Sequence, residues 1–339
     1  MRRRSIAIAL VAVVLLLAGG GAWLLRVEDI PDELPPVQGD PAACTIPPLF
    51  DEPPLQLGAL AGKTAFFVVV GAQTGDSDEG EALDRALNRW VYPDTTVGYI
   101  IGDAEGFSVF RDRIAKIMQH FGAEMRYPLY VDFEGSFMRT FQLPKGHHGF
   151  VVLGSDGSVL MSKSGGIEEE ELAEVRELLG AREPDPGPPA PAVVVGSLDT
   201  TSCTEGRSCV LVFLGRAVAR KDIPYIDDGF DGDDDENAAQ IRDPAVRLVS
   251  TMMKMKLKET TGVAVGRITD VDLPTWERVD EAPDARTAFG LGPTDSAIIV
   301  ITDGRVEVRE VGLVRLHRWG RIADLCGVDI NDRKPAKDE

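Results

Sequence analysis

The sequence predicts an α/β protein of two similar domains in tandem, each a mixed central sheet covered by helices. Three observations carry this expectation. A hairpin-and-helix pattern occurs at Phe141 to Gly180 and again from Phe289 onward. A basic-flanked turn running into a continuous apolar strand occurs at Gly62 to Ala72 (GKTAFFVVVGA) and again at Gly206 to Arg216 (GRSCVLVFLGR). The spacings agree: Gly206 lies 144 positions after Gly62, and Leu291 lies 148 after Leu143. So long a period belongs to tandem domains, not to a solenoid.

The hairpin is the most legible stretch. GFVVL is a short strand rich in β-branched and aromatic residues, GSDG is a turn of residues that tolerate positive φ or form Asx-turns, and SVLMS is the returning strand. Glu168 to Leu179 follows as a helix. It sets Leu172, Val175, Leu178 and Leu179 on one face, loads its first turn with glutamates that suit the helix dipole, and stops at Gly180. In the second copy Phe289 matches Phe141, Leu291 matches Leu143, Asp303-Gly304 matches Asp156-Gly157, and Gly312 matches Gly165.

At 339 residues and 44% hydrophobic, the chain can build two modest cores. Its net charge is −19, and past Arg26 it carries 32 basic against 55 acidic residues. That balance argues against nucleic acid as a partner, which would need a basic footprint. It reads as a solvated acidic surface.

Residues 1–26 are a signal anchor or signal peptide. Arg2 to Arg4 precede an uncharged run, Ser5 to Leu25, long enough at about 1.5 Å per residue to cross a hydrocarbon core of about 30 Å. Basic residues before the span send the rest outward, and Trp23 to Leu25 extend the run up to Arg26, which favours an uncleaved single-pass anchor in a bacterial inner membrane. Small residues at Ala18 to Ala22 support the alternative of cleavage.

Residues 27–54 hold eight prolines and read as a stalk. Residues 55–181 form the first domain, with a strand at Thr64 to Gly71, a helix at Glu81 to Val91, a strand at Thr95 to Ile101, a helix at Val109 to Phe121, a short strand at Tyr127 to Val131, then the hairpin and closing helix. Residues 182–192 hold five prolines and read as a semi-rigid linker. Residues 193–329 form the second domain, with a helix around Pro244 to Glu259 and a strand at Val263 to Ile268, and 330–339 are a polar tail. The acidic run Asp227 to Asn237 approaches a calcium-loop pattern at Asp227, Asp231 and Gly232, but Gly229 and Ala238 stand where ligands belong.

The run GKTAFFVVVGA, the later YPLYVDFEGSFMRTFQL and the hairpin FVVLGSDGSV resemble the framework of the thioredoxin-like superfamily, in particular exported thiol-disulfide oxidoreductases and peroxiredoxins. The resemblance implies a site where the loop after the first strand faces the loop before the hairpin. In the first loop, where the family carries its reactive cysteines, this chain has Gly75, Asp76 and Asp78; in the second, the place of the family's cis-proline falls on His147, beside His148. With no thiolate there, disulfide exchange and peroxide reduction lose their nucleophile, and no catalytic residue is assigned. In the second domain Arg216 to Arg220 fills the equivalent loop, and Pro293 lies near the expected proline.

Four cysteines, Cys44, Cys203, Cys209 and Cys326, in an exported chain suggest two disulfides. The resemblance puts Cys203, Cys209 and Cys326 at the pole away from the site, with a structural bridge from Cys326 to Cys203 or Cys209. The rival is a redox-active Cys203 to Cys209 pair. His147 and His148, being adjacent in an extended segment, point to opposite sides; one of them with Asp76 or Asp78 makes a weak metal site, against the blander reading of a polar loop. No cofactor and no metal are assigned. The expected function is a membrane-anchored binding or scaffolding module with an envelope protein as partner. The alternatives are a thiol-redox or antioxidant enzyme using Cys203 and Cys209, and a metal-binding protein.

Overall fold

The computed structural model describes residues 30–31, 34–49, 52–71, 80–122, 125–204, 207–223, 243–253, 255, 257 and 260–327. The Ser5 to Leu25 run, the loop with Gly75, Asp76 and Asp78, the acidic run from Asp227 and the tail lie outside these residues. Among the described residues no helix is long and apolar enough to cross a membrane. The chain divides into two compact units, one ending at Pro184 and the other beginning at Asp185.

In chain order the first unit contains strands β1 (Thr45–Ile46), β2 (Leu55–Gln56) and β3 (Thr64–Val70), helix α1 (Glu81–Arg89), β4 (Thr96–Asp103), α2 (Arg111–Gly122), β5 (Leu129–Asp132), α3 (Ser136–Phe141), β6 (Gly149–Leu153), β7 (Val159–Ser164) and α4 (Leu172–Leu178). Its sheet runs β5-β4-β3-β6-β7. Strands β3, β4 and β5 are parallel, and β6 and β7 join antiparallel. Strand β3 is buried on both sides, which is why it reads as an unbroken apolar run. Ala65, Phe67 and Val69 face a core closed by Ile46, Leu55, Phe137, Met138 and Phe141. On the other face Phe66 packs with Leu83, Leu87, Trp90 and Val175, and Val70 with Ile114 and Met118.

The proline-rich stretch before residue 55 is not a free stalk over its described part. Leu34 and Val37 pack on the core, Cys44 and Ile46 are buried within it, β1 pairs with β2, and Gln38 donates its backbone N–H to the Thr140 carbonyl. Helix α3 did not stand out in the sequence reading; Asp132 holds its start, accepting from Ser136 N at 3.0 Å and Phe137 N at 2.7 Å.

The second unit contains β8 (Val194–Val195), β9 (Leu198–Asp199), β10 (Cys209–Phe213), β11 (Val218–Ala219), α5 (Pro244–Met252), β12 (Thr261–Val265), β13 (Ile268–Thr269), β14 (Trp276–Val279), α6 (Pro283–Ala288), β15 (Ala297–Thr302), β16 (Arg305–Val311) and α7 (Leu316–Leu325). Its sheet runs β14-β12-β10-β15-β16, position for position the order of the first. Even the bulge recurs, with Leu160 as the extra residue of β7 and Glu307 that of β16. Helix α5 ends at Met252, short of the expected Glu259, because Met255 and Leu257 enter the core two residues apart, the spacing of an extended segment. Strand β14 and helix α6 are further elements that the sequence reading did not name.

The expected bridge to Cys326 is corrected by this sheet. Cys203 and Cys209 are bonded to each other, while Cys44 and Cys326 are free and buried. Alternation along β10 is the reason. Cys209, Leu211 and Phe213 point into one core together with Cys203; Val210 and Val212 point into the other, where α7 places Cys326.

The segment read as a linker is tied down at both ends. Val91 and Arg182 exchange backbone hydrogen bonds of 2.9 and 3.0 Å, and Glu183 pairs with Arg89 at 2.9 Å and accepts from Trp90 Nε1 at 3.0 Å. Farther on, Val306 N donates to Pro188 O at 2.9 Å and Ala190 N to Gly304 O at 2.8 Å, so Pro188 to Ala190 run antiparallel to the start of β16.

Candidate functional site

In the first unit the chain leaves β3 at Gly71 and returns to β6 through Leu143 to His148. The two segments meet backbone to backbone. A Cβ on Gly71 would stand 2.3 Å from Gly146 C and 2.6 Å from His147 N, so only glycine fits. His148 is 5% exposed, and its Nδ1 lies 3.2 Å from the Val69 carbonyl oxygen. A carbonyl only accepts, so Nδ1 carries the proton and Nε2 is left as an acceptor. Burial, reinforced by His147, holds the imidazole pKa down to about 4, so the ring is neutral at pH 7. Its edge lies against Gly80, the residue that opens α1 with φ 76°.

Beside this loop two strands end in acids. Asp103 of β4 and Asp132 of β5 are register partners, and both are buried. Asp132 is engaged in starting α3. Asp103 accepts from Glu105 N at 3.3 Å and Gly146 N at 3.4 Å. Burial raises its pKa against the pull of those two N–H groups and of Lys145, while Asp132 adds to the rise. Glu105 pairs with Arg139 at 2.8 Å at the rim.

At the equivalent pole of the second unit the described side chains bind the backbone around them. A Cβ on Gly215 would stand 2.0 Å from Thr294 O, repeating the approach of Gly71 to Gly146. Arg286 donates to Leu214 O at 2.6 Å, Asp295 O at 2.9 Å and Gly292 O at 3.0 Å, and its guanidinium lies 5.4 Å from the Phe213 ring centroid. Ser296 Oγ accepts from Gly215 N at 2.9 Å, and Arg216 pairs with Asp243 at 2.8 Å.

Three parallel strands, an antiparallel hairpin on the far side of the first of them and helices on both faces complete the pattern that the repeated sequence suggested. The fold is thioredoxin-like. Among solved structures the chain is similar to a thiol-disulfide isomerase from Corynebacterium glutamicum, with 15% identity over 42% of this chain and 95% of that one and a TM-score of 0.32. It is also similar to the pneumococcal exposed lipoprotein thioredoxin of Streptococcus pneumoniae, at 12% identity over 40% and 97%, TM-score 0.28. A secreted Mycobacterium tuberculosis disulfide oxidoreductase gives 14% identity over 40% and 94%, TM-score 0.26. No protein-family model and no curated protein matches the chain.

Of the residues singled out in sequence, the thioredoxin-like frame puts His147 and His148 at this pole, while Gly75, Asp76 and Asp78 lie outside the described residues. Among the described residues no three His, Cys, Asp or Glu side chains come together as a metal site. The bonded cysteines are elsewhere. Cys203 and Cys209 sit where β10 begins, and Cys203 O accepts from Gly304 N at 2.6 Å beside the β15 to β16 turn, the end away from Gly215. Burial raises the Cys44 pKa, against hydrogen bonds from Thr140 and Ser136, and pushes that of Cys326 up to about 12. Asp103 and Arg286 are the residues that sequence reasoning missed. A signal for Asp103 existed: an acid closing the apolar strand YIIGD, where parallel strands deliver their ends to a site. Arg286 had none, because its partners are backbone carbonyls of two loops, at Leu214 and at Gly292 and Asp295.

Proposed function

We propose that the chain is a non-catalytic binding module of the cell envelope, anchored in the membrane by Ser5 to Leu25, with the Gly71, Gly146 and His148 pole of the first unit as its binding surface for an envelope protein. One observation carries the reading: no cysteine stands between Cys44 and Cys203 in the sequence, so neither the loop after β3 nor the loop before β6 carries a thiol. The pole combines a neutral, buried imidazole with the Asp103 carboxyl that Gly146 N holds on the same loop. In the second unit Arg286 is engaged with backbone carbonyls at the equivalent place.

The second reading, thiol redox chemistry through Cys203 and Cys209, is favoured by the disulfide itself. Against it stands burial: both half-cystines are closed from solvent, whereas exchange needs an accessible sulfur in an electropositive setting. Insulin reduction and peroxide consumption by the full-length protein in detergent decide between them. The expected result is no turnover above buffer, with the Cys203 to Cys209 bridge intact in millimolar glutathione. Turnover that Cys209→Ser abolishes would establish the redox reading instead. Retention of Met1 or Arg2 and of the protein in salt-washed membranes tests the anchor; a mature N-terminus near Gly19 to Trp23 would replace it with a cleaved signal.

A further inference from the structure

The chain joins the first unit at the end of the sheet that carries His148. Ile30, the first described residue, sets its Cδ1 3.3 Å from where a Cβ on Gly165 would stand. Gly165 follows β7, and its N–H donates to the His148 carbonyl at 2.8 Å, while the Ser164 hydroxyl donates to the same oxygen at 3.3 Å. Leu34 and Val37 then pack on the core that Phe137 and Phe141 close. The chain leaves at the opposite end. Thr96 opens β4 beside Thr64, the first residue of β3, and its hydroxyl donates to the Leu179 carbonyl at 3.0 Å. Arg182, three positions on, exchanges its hydrogen bonds with Val91 there.

Chain length turns this polarity into an orientation. Ile30 stands four positions after Arg26, the charge that ends the apolar run. At no more than about 3.6 Å per residue, that stretch reaches about 14 Å. A folded domain of about 100 residues has a radius of gyration of about 13 Å, so its body is roughly twice as thick as the gap the tether allows. What fits is a loop or an extended segment. The charges at this end do not suit a layer of anionic headgroups, which attracts basic clusters. Arg139 and Lys145 both face Glu105, at 2.8 and 3.9 Å, and the sequence after Gly71 brings Asp76, Asp78 and Glu79. Val109, on the connection from the end of β4 to α2, adds an apolar side chain that is 83% exposed.

We propose that the His148 pole faces the bilayer and that its partner is an integral membrane protein, presenting a short extracytoplasmic loop in the gap that the tether sets. The proposal rests on the anchored, non-catalytic reading above and names the class of envelope protein it takes. A folded soluble partner is shut out by thickness, and a lipid surface is disfavoured by charge.

The test places single thiols on the full-length protein in nanodiscs whose headgroups carry an energy-transfer acceptor. Cys44 and Cys326 are buried, so a donor dye goes to the added thiol. Val109→Cys marks the pole, Leu160→Cys marks the β7 edge, and Ser155→Cys, exposed in the turn that accepts from Gly62 N, marks the exit end. Transfer should be greatest from position 109, weaker from 160 and weakest from 155. A flexible glycine-serine insertion after Arg26 should lower transfer from 109, because the tether alone holds the pole there. In membranes of the source cells, a photo-reactive group at 109 should crosslink to a peptide that flanks a membrane span. Greatest transfer from 160 or 155 would overturn the orientation. Transfer from 109 that survives the insertion and falls when neutral lipid replaces anionic lipid would make the bilayer itself the occupant. Crosslinks to soluble proteins alone would overturn the partner class. Loss of the protein from the nanodiscs would overturn the anchor, and this proposal with it, whereas the three outcomes before it leave the anchor standing.

Discussion

Cys209 and Cys326 belong to opposite faces of one sheet: the first lies with Leu211 and Phe213, the second with the side that Val210 and Val212 face. A bridge between them would have to pass through β10. Both remaining thiols, Cys44 and Cys326, are therefore expected to be reduced and shielded. A thiol reagent should label neither in the native protein within minutes and both after guanidinium, and a non-reducing peptide map should contain the Cys203 to Cys209 bridge alone. Cys326→Ser should leave that map unchanged while costing about 1 to 3 kcal/mol, because it buries a hydroxyl among apolar neighbours. A Cys326 bridge in the map would refute the face assignment.

Removing the bridge that does exist should cost stability without costing function. Cys203 and Cys209 are six positions apart, so by the chain-entropy model the crosslink contributes about 2 kcal/mol. Cys203→Ala with Cys209→Ala should lower the melting transition of the second unit by that order and leave partner binding at the first unchanged. A loss of binding in the double variant, with the first unit still folded, would tie the disulfide to function.

The repeat made the central strands, hairpins and closing helices legible, because each carries its own pattern: unbroken apolar runs at Phe66 to Val70 and Val210 to Phe213, and turn residues at Asp156-Gly157 and Asp303-Gly304. What stayed illegible depends on contacts between distant residues. Helix α3 is six residues long and is started by Asp132, four positions before it. The prolines near Leu34 and Pro188 signal extended chain, but nothing in their sequence says that the chain lies on a core or on β16. The pairing of Cys209 turned on face parity, which positions counted along the helix and strand separately do not relate. At the site, His148 was visible as a residue, while its tautomer depends on Val69 and its neutrality on burial.

The close approaches at the two poles make a paired test. Gly71→Ala places a methyl against the Gly146 backbone, and Gly215→Ala places one against Thr294 O. Backbone cannot swing aside as a side chain can, so each should cost about 1 to 3 kcal/mol or more, the range for overpacking a tight interior. Gly157→Ala is a different case, since its penalty comes from φ 82° with open space around the Cβ. It should cost about 1 kcal/mol, the left-handed penalty alone. Equal losses at all three positions, read by chemical denaturation, would count against the close approach.

Acid should loosen the pole of the first unit through His148. The folded pKa is about 4 and the ordinary value 6.5, so the unfolded chain takes up the proton first. The depressed value means that the stability His148 confers by staying neutral is fully present above pH 6.5 and is lost as pH falls toward 4. Over that window the loss amounts to roughly 3 kcal/mol at most. Asp103 has the opposite sign: its raised pKa favours the protonated folded form, so its contribution is largest in acid and declines as pH rises through the folded value. Lys145 and Asp132 face Asp103, and His147 adjoins His148, so these are the charges that modulate the two. His148→Gln keeps a polar side chain but removes the titration. Its denaturation midpoint should change less between pH 7 and 4.5 than that of the parent, whereas Asp103→Asn should be more stable relative to the parent at pH 7 than at pH 4.5. If His148→Gln retains the full acid-dependent drop, the drop arises from the carboxylates of the acidic surface and not from this imidazole.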